Sequence, residues 1–89
     1  MEKNPTLYRG ELESVVRQLS AVNIIAKIKG EGISQFVYAK YGNRAVELSQ
    51  NTDGIWVEFW SGDSENPKNA MTLSSYSEAL IEILSWLKM

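Results

Sequence analysis

Neither cysteine nor histidine occurs among the 89 residues of this chain. Without cysteine there is no disulfide and no thiol chemistry. Without either residue, Ser-His and Cys-His nucleophilic catalysis, zinc sites of the usual kind and imidazole acid–base work are excluded. Catalysis would have to rest on carboxylates, Lys, Tyr or Ser, so a non-enzymatic protein without a cofactor is the expectation. No apolar run approaches the roughly 18 residues that would span a bilayer. The opening Met1-Glu2-Lys3-Asn4-Pro5 lacks the basic-then-apolar pattern of a signal peptide. A cytoplasmic setting away from the membrane follows as the default. Internal repeats, low-complexity segments and long linkers are absent too, and residues 1–89 read as one small domain.

What is present is ordinary in amount and uneven in placement. Hydrophobic residues make up 44% and charged residues 22%, enough apolar material for one core. Residues 1–44 hold seven basic and four acidic groups, +3, whereas residues 45–89 hold two basic and seven acidic groups, −5. Such polarity can orient a partner or a second copy of the same chain.

Asn4-Pro5 suits the start of a helix, with Asn as cap and Pro in the first turn. Tyr8, Leu12, Val15, Val16 and Leu19 then recur at helical spacing, which predicts a helix over 5–20. From Val22 to Lys29 the period changes to two, with Ile24, Ala26 and Ile28 on one side of a strand. Gly30-Glu31-Gly32 turns the chain into a second strand, Ile33 to Tyr41. Gly42-Asn43 leads to a third, Arg44 to Gln50, and Asn51-Thr52-Asp53-Gly54 to a fourth ending at Trp60. A polar loop follows over 61–69. Ser75-Tyr76-Ser77-Glu78 fits a capping box, and Tyr76, Ala79, Leu80, Ile83, Leu84 and Leu87 form the apolar stripe of a helix over 75–88.

Two-residue hairpin loops at 30–31 and 42–43 set Ile28 against Ile33, Ile24 against Val37, Ala39 against Val46 and Val37 against Leu48. The next turn sets Leu48 against Val57 and Val46 against Phe59. All four strands then agree on one apolar face. The predicted fold is α+β: a two-layer domain with a four-stranded antiparallel meander sheet flanked by an N-terminal and a C-terminal helix (α-β-β-β-β-α). The C-terminal helix should cover the agreed face.

The other face carries Ile25, Lys27, Phe36, Tyr38, Lys40, Glu47, Trp56, Glu58 and Trp60. Five of these nine are large and apolar or aromatic, and exposed apolar patches of that size mark interfaces. Three coverings compete: the N-terminal helix, another protein (most simply a second copy), or a ligand. The expected function is a protein-interaction domain that self-associates as a homodimer, with Ile25, Phe36, Tyr38, Trp56, Glu58, Trp60, Lys27 and Lys40 as its contact residues. The alternative is a single-stranded nucleic-acid binder, with the aromatics as stacking platforms and Lys27, Lys29, Lys40 and Arg44 tracking phosphates. Glu47 and Glu58 would repel phosphate, and no RNP-type aromatic motif is present. The same two glutamates are the best acid–base candidates, although paired surface glutamates are more often simply solvated. Asp63-Ser64-Glu65-Asn66 lacks the glycine and distant glutamate of an EF-hand, and Gly30-Glu31-Gly32 lacks the rest of a phosphate-binding loop. No metal site is expected.

Overall fold

A computed structural model describes residues 9–62 and 65–88. Helix α1 (Arg9–Ser20) is followed by five strands, β1 (Ile25–Lys29), β2 (Phe36–Tyr41), β3 (Arg44–Asn51), β4 (Gly54–Ser61) and β5 (Asn69–Leu73), and then by helix α2 (Tyr76–Leu87). The strands form one antiparallel sheet in sequential order, β1-β2-β3-β4-β5. The α+β architecture is as expected, but the sheet has five strands rather than four. The expected cap and first turn of the N-terminal helix, and with them Tyr8, lie outside the described residues.

The first departure from the expected strands sits at the end of α1. Asn23 adopts φ 69°, and two backbone hydrogen bonds close the helix around it: Asn23 N–H to Ser20 C=O and Ile24 N–H to Leu19 C=O, both 3.1 Å. This is the Schellman arrangement, in which a left-handed residue lets the chain satisfy the last helical carbonyls. Ile24 and Leu19 are both buried there. Val22 and Asn23 are thus consumed by the helix cap, and β1 starts at Ile25 instead of Val22.

The second departure follows directly. Residues 30–35 form a six-residue connection containing a 3-10 turn over Gly32–Ser34. Gly30 takes φ +84°, and a Cβ there would lie 2.5 Å from the Ser34 carbonyl oxygen. Glu31 C=O accepts both the Ser34 N–H (3.0 Å) and the Ser34 hydroxyl (2.7 Å). Ile33, expected in the strand opposite Ile28, is instead 86% exposed at the tip. Ile28 opposes Val37, and Ala26 opposes Ala39. The register of β1 has moved by four residues, an even number, so every side chain keeps its expected face.

The other two hairpins match the expected registers. Gly42-Asn43 joins β2 to β3, with Ala39 opposite Val46 and Val37 opposite Leu48. Thr52-Asp53 joins β3 to β4, with Leu48 opposite Val57 and Val46 opposite Phe59. Asn51 Oδ1 fastens this turn by accepting the N–H of Asp53 (2.8 Å) and of Gly54 (3.0 Å). The unexpected strand, β5, pairs along β4 and adds Met71 and Leu73 to the apolar face.

Both helices lie on that face. α1 packs on β1 and β2, α2 packs on β3, β4 and β5, and the two helices touch each other. Leu12, Val15 and Leu19 of α1 join Val37, Ala39, Val46, Leu48, Val57 and Phe59 of the sheet and Ala79, Ile83 and Leu87 of α2 in one buried cluster. Leu84, expected in the apolar stripe of α2, is 36% exposed. The α2 start is capped by the Ser75 hydroxyl, which accepts the Glu78 N–H at 3.1 Å. The reciprocal half of the box is displaced by one residue, since Glu78 Oε1 accepts the Ser74 N–H and hydroxyl, at 3.2 and 2.6 Å. At the far end, Trp86 Nε1–H donates to Trp60 C=O (3.1 Å), and its indole meets Phe59 edge-on at 5.8 Å.

Candidate functional site: the bare face of the sheet

Because both helices occupy one side, no helix covers the opposite face of the sheet among the described residues. Strand registers arrange that face in three rows. The central row runs Lys27, Tyr38, Glu47, Glu58, Ala70. On one side lies Lys29, Phe36, Ser49, Trp56, Thr72, and on the other Ile25, Lys40, Ala45, Trp60. All eight sequence-predicted contact residues share this face. Glu47, expected on the same face, Lys29, Ala45, Ser49, Ala70 and Thr72 join them. The last two escape sequence periodicity because they sit on the unexpected strand.

The face is neither buried nor fully solvated. Phe36, Tyr38, Trp56 and Trp60 are half-buried by their neighbours, whereas Ile25 is 66% exposed and Lys27, Lys29 and Lys40 are exposed or nearly so. Trp60 Nε1 is itself buried, without a hydrogen-bond partner among the described residues. Two shallow depressions flank the central row. One, of about 250 Å³, lies between the 3-10 turn and Phe36, Glu47, Trp56 and Glu58. The other, of about 220 Å³, is bordered by Tyr38, Lys40, Ala45 and Trp60.

Charge divides the face by strand. β1 and β2 contribute Lys27, Lys29 and Lys40, while β3 and β4 contribute Glu47 and Glu58, directly opposite each other. Partial burial raises the Glu47 pKa, the Glu58 carboxylate raises it further, and Lys29 pulls it back down. The Lys29 ammonium lies 4.5 Å from the centroid of the Tyr38 ring, a cation–π contact along the diagonal of the β1–β2 pair. A carboxyl with a raised pKa beside a second carboxylate is a motif of acid–base catalysis. Here both groups are half-exposed and line the shallow depression beside Phe36 and Trp56.

Arg44 is not on this face. It shares parity with Val46 and Leu48, and its Nη1 donates to Trp86 C=O at 2.9 Å while its guanidinium stacks on the Trp86 ring at 4.6 Å. The expected phosphate-tracking series therefore loses its one arginine to the helix side. Among the described residues no group of His, Cys, Asp or Glu is arranged to hold a metal ion, and no helix is long and apolar enough to cross a membrane. Asp63 and Ser64 of the acidic loop lie outside the described residues.

No protein-family model, curated protein or solved structure matches this chain.

Proposed function

We propose that this domain is a non-enzymatic protein-interaction module that self-associates through the bare face of its sheet. The supporting observation is the placement of both helices on one side, which leaves Phe36, Tyr38, Trp56, Trp60 and Ile25 without a helix over them. Burying one such side chain fully contributes roughly 1.5–3 kcal/mol. The residual exposure of five of them is a substantial driving force for association. Aromatic residues ringed by charged ones are also the usual composition of an interface centre.

Light scattering on the purified protein across 1–200 μM (about the range where a small interface associates) should return a mass rising to twice that of the chain. A mass that stays monomeric throughout overturns the reading. The same samples titrated with oligonucleotides at low salt discriminate the rival, a single-strand binder with Phe36, Tyr38, Trp56 and Trp60 as stacking platforms. Tryptophan quenching that fades as salt rises would favour it. Against the rival stand the Glu47–Glu58 pair at the centre of the face and the diversion of Arg44.

A further inference from the structure

The three rows are more specific than a general apolar patch, because their charges constrain how two copies can meet. For two sheets packed face to face about a two-fold axis, the axis lies in the plane between them. It runs either across the strands or along them. An axis across the strands, through the central row, places Lys27 on Lys27, Glu47 on Glu47 and Glu58 on Glu58, since each position in that row meets itself. Like charges directly opposed are unfavourable. An axis along the strands, between β2 and β3, instead lays β1 of one copy over β4 of the other and β2 over β3.

We infer that the domain forms a two-fold dimer with its axis parallel to the strands between β2 and β3, in which Lys27 of each copy pairs with Glu58 of the other. This inference rests on the self-association proposed above and specifies its geometry. The same operation lays Ile25 on the second copy's Trp60, brings Lys29 over the second copy's Trp56 and sets the Tyr38 hydroxyl against the second copy's Glu47. Apolar meets apolar, cation meets indole, and a phenol donor meets a carboxylate. Aligned sheets pack about 10 Å apart, a gap that a lysine reaching about 6 Å and a glutamate reaching about 4 Å can span from opposite sides. Under this operation β1 to β4 overlie one another and β5 overhangs, so four strands spaced about 4.8 Å apart, six residues deep at about 3.3 Å each, give a footprint of about 380 Å² per copy. The pair covers on the order of 800 Å² before side-chain relief is counted, the size of a small interface of weak, reversible affinity.

Within one chain Lys27 and Glu58 are three strands apart, about 14 Å, so they do not pair there. The test exploits this. K27E alone and E58K alone each bring like charges together twice in the dimer, and each should weaken self-association by about tenfold or more in sedimentation equilibrium. Mixing the two variants in equal amounts makes both cross-pairs complementary again, because the K27E copy is acidic at both positions and the E58K copy is basic at both. It should restore a dimer of one copy of each. The double variant K27E/E58K should self-associate to within about threefold of the unaltered chain, and it provides a second readout from a single polypeptide.

If the unaltered chain dimerises but neither the mixture nor the double variant recovers, the geometry is wrong while self-association stands. If K27E is rescued by E47K instead of E58K, the axis lies on β2 and the inference is overturned. A chain that never dimerises removes both the geometry and the reading beneath it.

Discussion

Replacing Glu47 by glutamine should make the monomer more stable, by an amount the structure bounds. Glu47 and Glu58 are directly opposite on adjacent strands, a placement that sets Cβ atoms about 5 Å apart. At about that distance two unit charges in water repel by about 0.8 kcal/mol, and screening at physiological salt roughly halves it. Partial burial of Glu47 adds a desolvation cost, discounted because the group remains largely in contact with solvent. The favourable contact with Lys29 is lost in the variant and offsets part of the gain. A net stabilisation of about 0.5 kcal/mol is expected at pH 7, or about 2–4 °C in Tm for a domain of this size. The pH dependence separates this cause from others. Glu47 titrates above 4.5 in the folded chain, so the native state holds a proton that the unfolded state has released. Stability of the unaltered protein therefore falls as pH rises from about 4.5 through the lifted value, and E47Q removes that fall. The groups facing Glu47 are Glu58, Lys29, Tyr38 and, further along the row, Lys27. Urea denaturation followed by tryptophan fluorescence at submicromolar protein keeps self-association out of the measurement. A gain of equal size at pH 4 and pH 7, or a loss at pH 7, would refute the electrostatic account.

Gly30→Ala should cost at least about 2 kcal/mol, because left-handed φ strain adds to a Cβ placed 2.5 Å from the Ser34 carbonyl oxygen. Gly42→Ala, at φ +63° with open space around the site, should cost only about 1 kcal/mol, and equal urea midpoints for the two would contradict the steric argument. Ser75→Ala should cost about 1 kcal/mol by removing the acceptor for the Glu78 N–H, read as a lowered Tm. Hydrogen bonds from Ser74 hold the Glu78 carboxyl below 4.5, so its contribution is complete above that pH and lost as pH falls through the lowered folded value. Glu78→Gln should accordingly flatten the acid limb of the stability profile, and an unchanged acid limb would count against the Ser74 contact.

Much of the fold is legible in the residues alone, and the reasons are local. Gly42-Asn43 and Asn51-to-Gly54 are turn signals strong enough to set two registers, and Ser75 with Glu78 marks a helix start within one residue. β5 escapes because five residues, Asn69 to Leu73, carry only two clearly apolar inward positions and follow a turn-rich stretch. What makes them a strand is the free edge of β4, a tertiary feature with no signature of its own in the segment. The side taken by α1 is open in the sequence for a similar reason. An amphipathic stripe specifies that a helix is buried, and only the width of the sheet decides where. Five strands provide room for α1 over β1 and β2 beside α2 over β3 to β5.

The candidate site divides along the same line, between what depends on parity and what depends on register. Parity alone assigns Trp56, Trp60, Phe36, Tyr38, Ile25, Lys27 and Lys40 to one face, and it survives any even shift of β1. Register decides neighbours, and there a four-residue error matters. A two-residue loop at 30–31 would set Lys27 opposite Ser34, beyond the end of the ladder. The six-residue connection around Gly30 and Ser34 sets it opposite Tyr38, in line with Glu47 and Glu58. Only in that alignment does the central row become basic at one end and acidic at the other, hence self-complementary about an axis along the strands. The exposed loop that sequence periodicity passes over is thus the element that positions the charges.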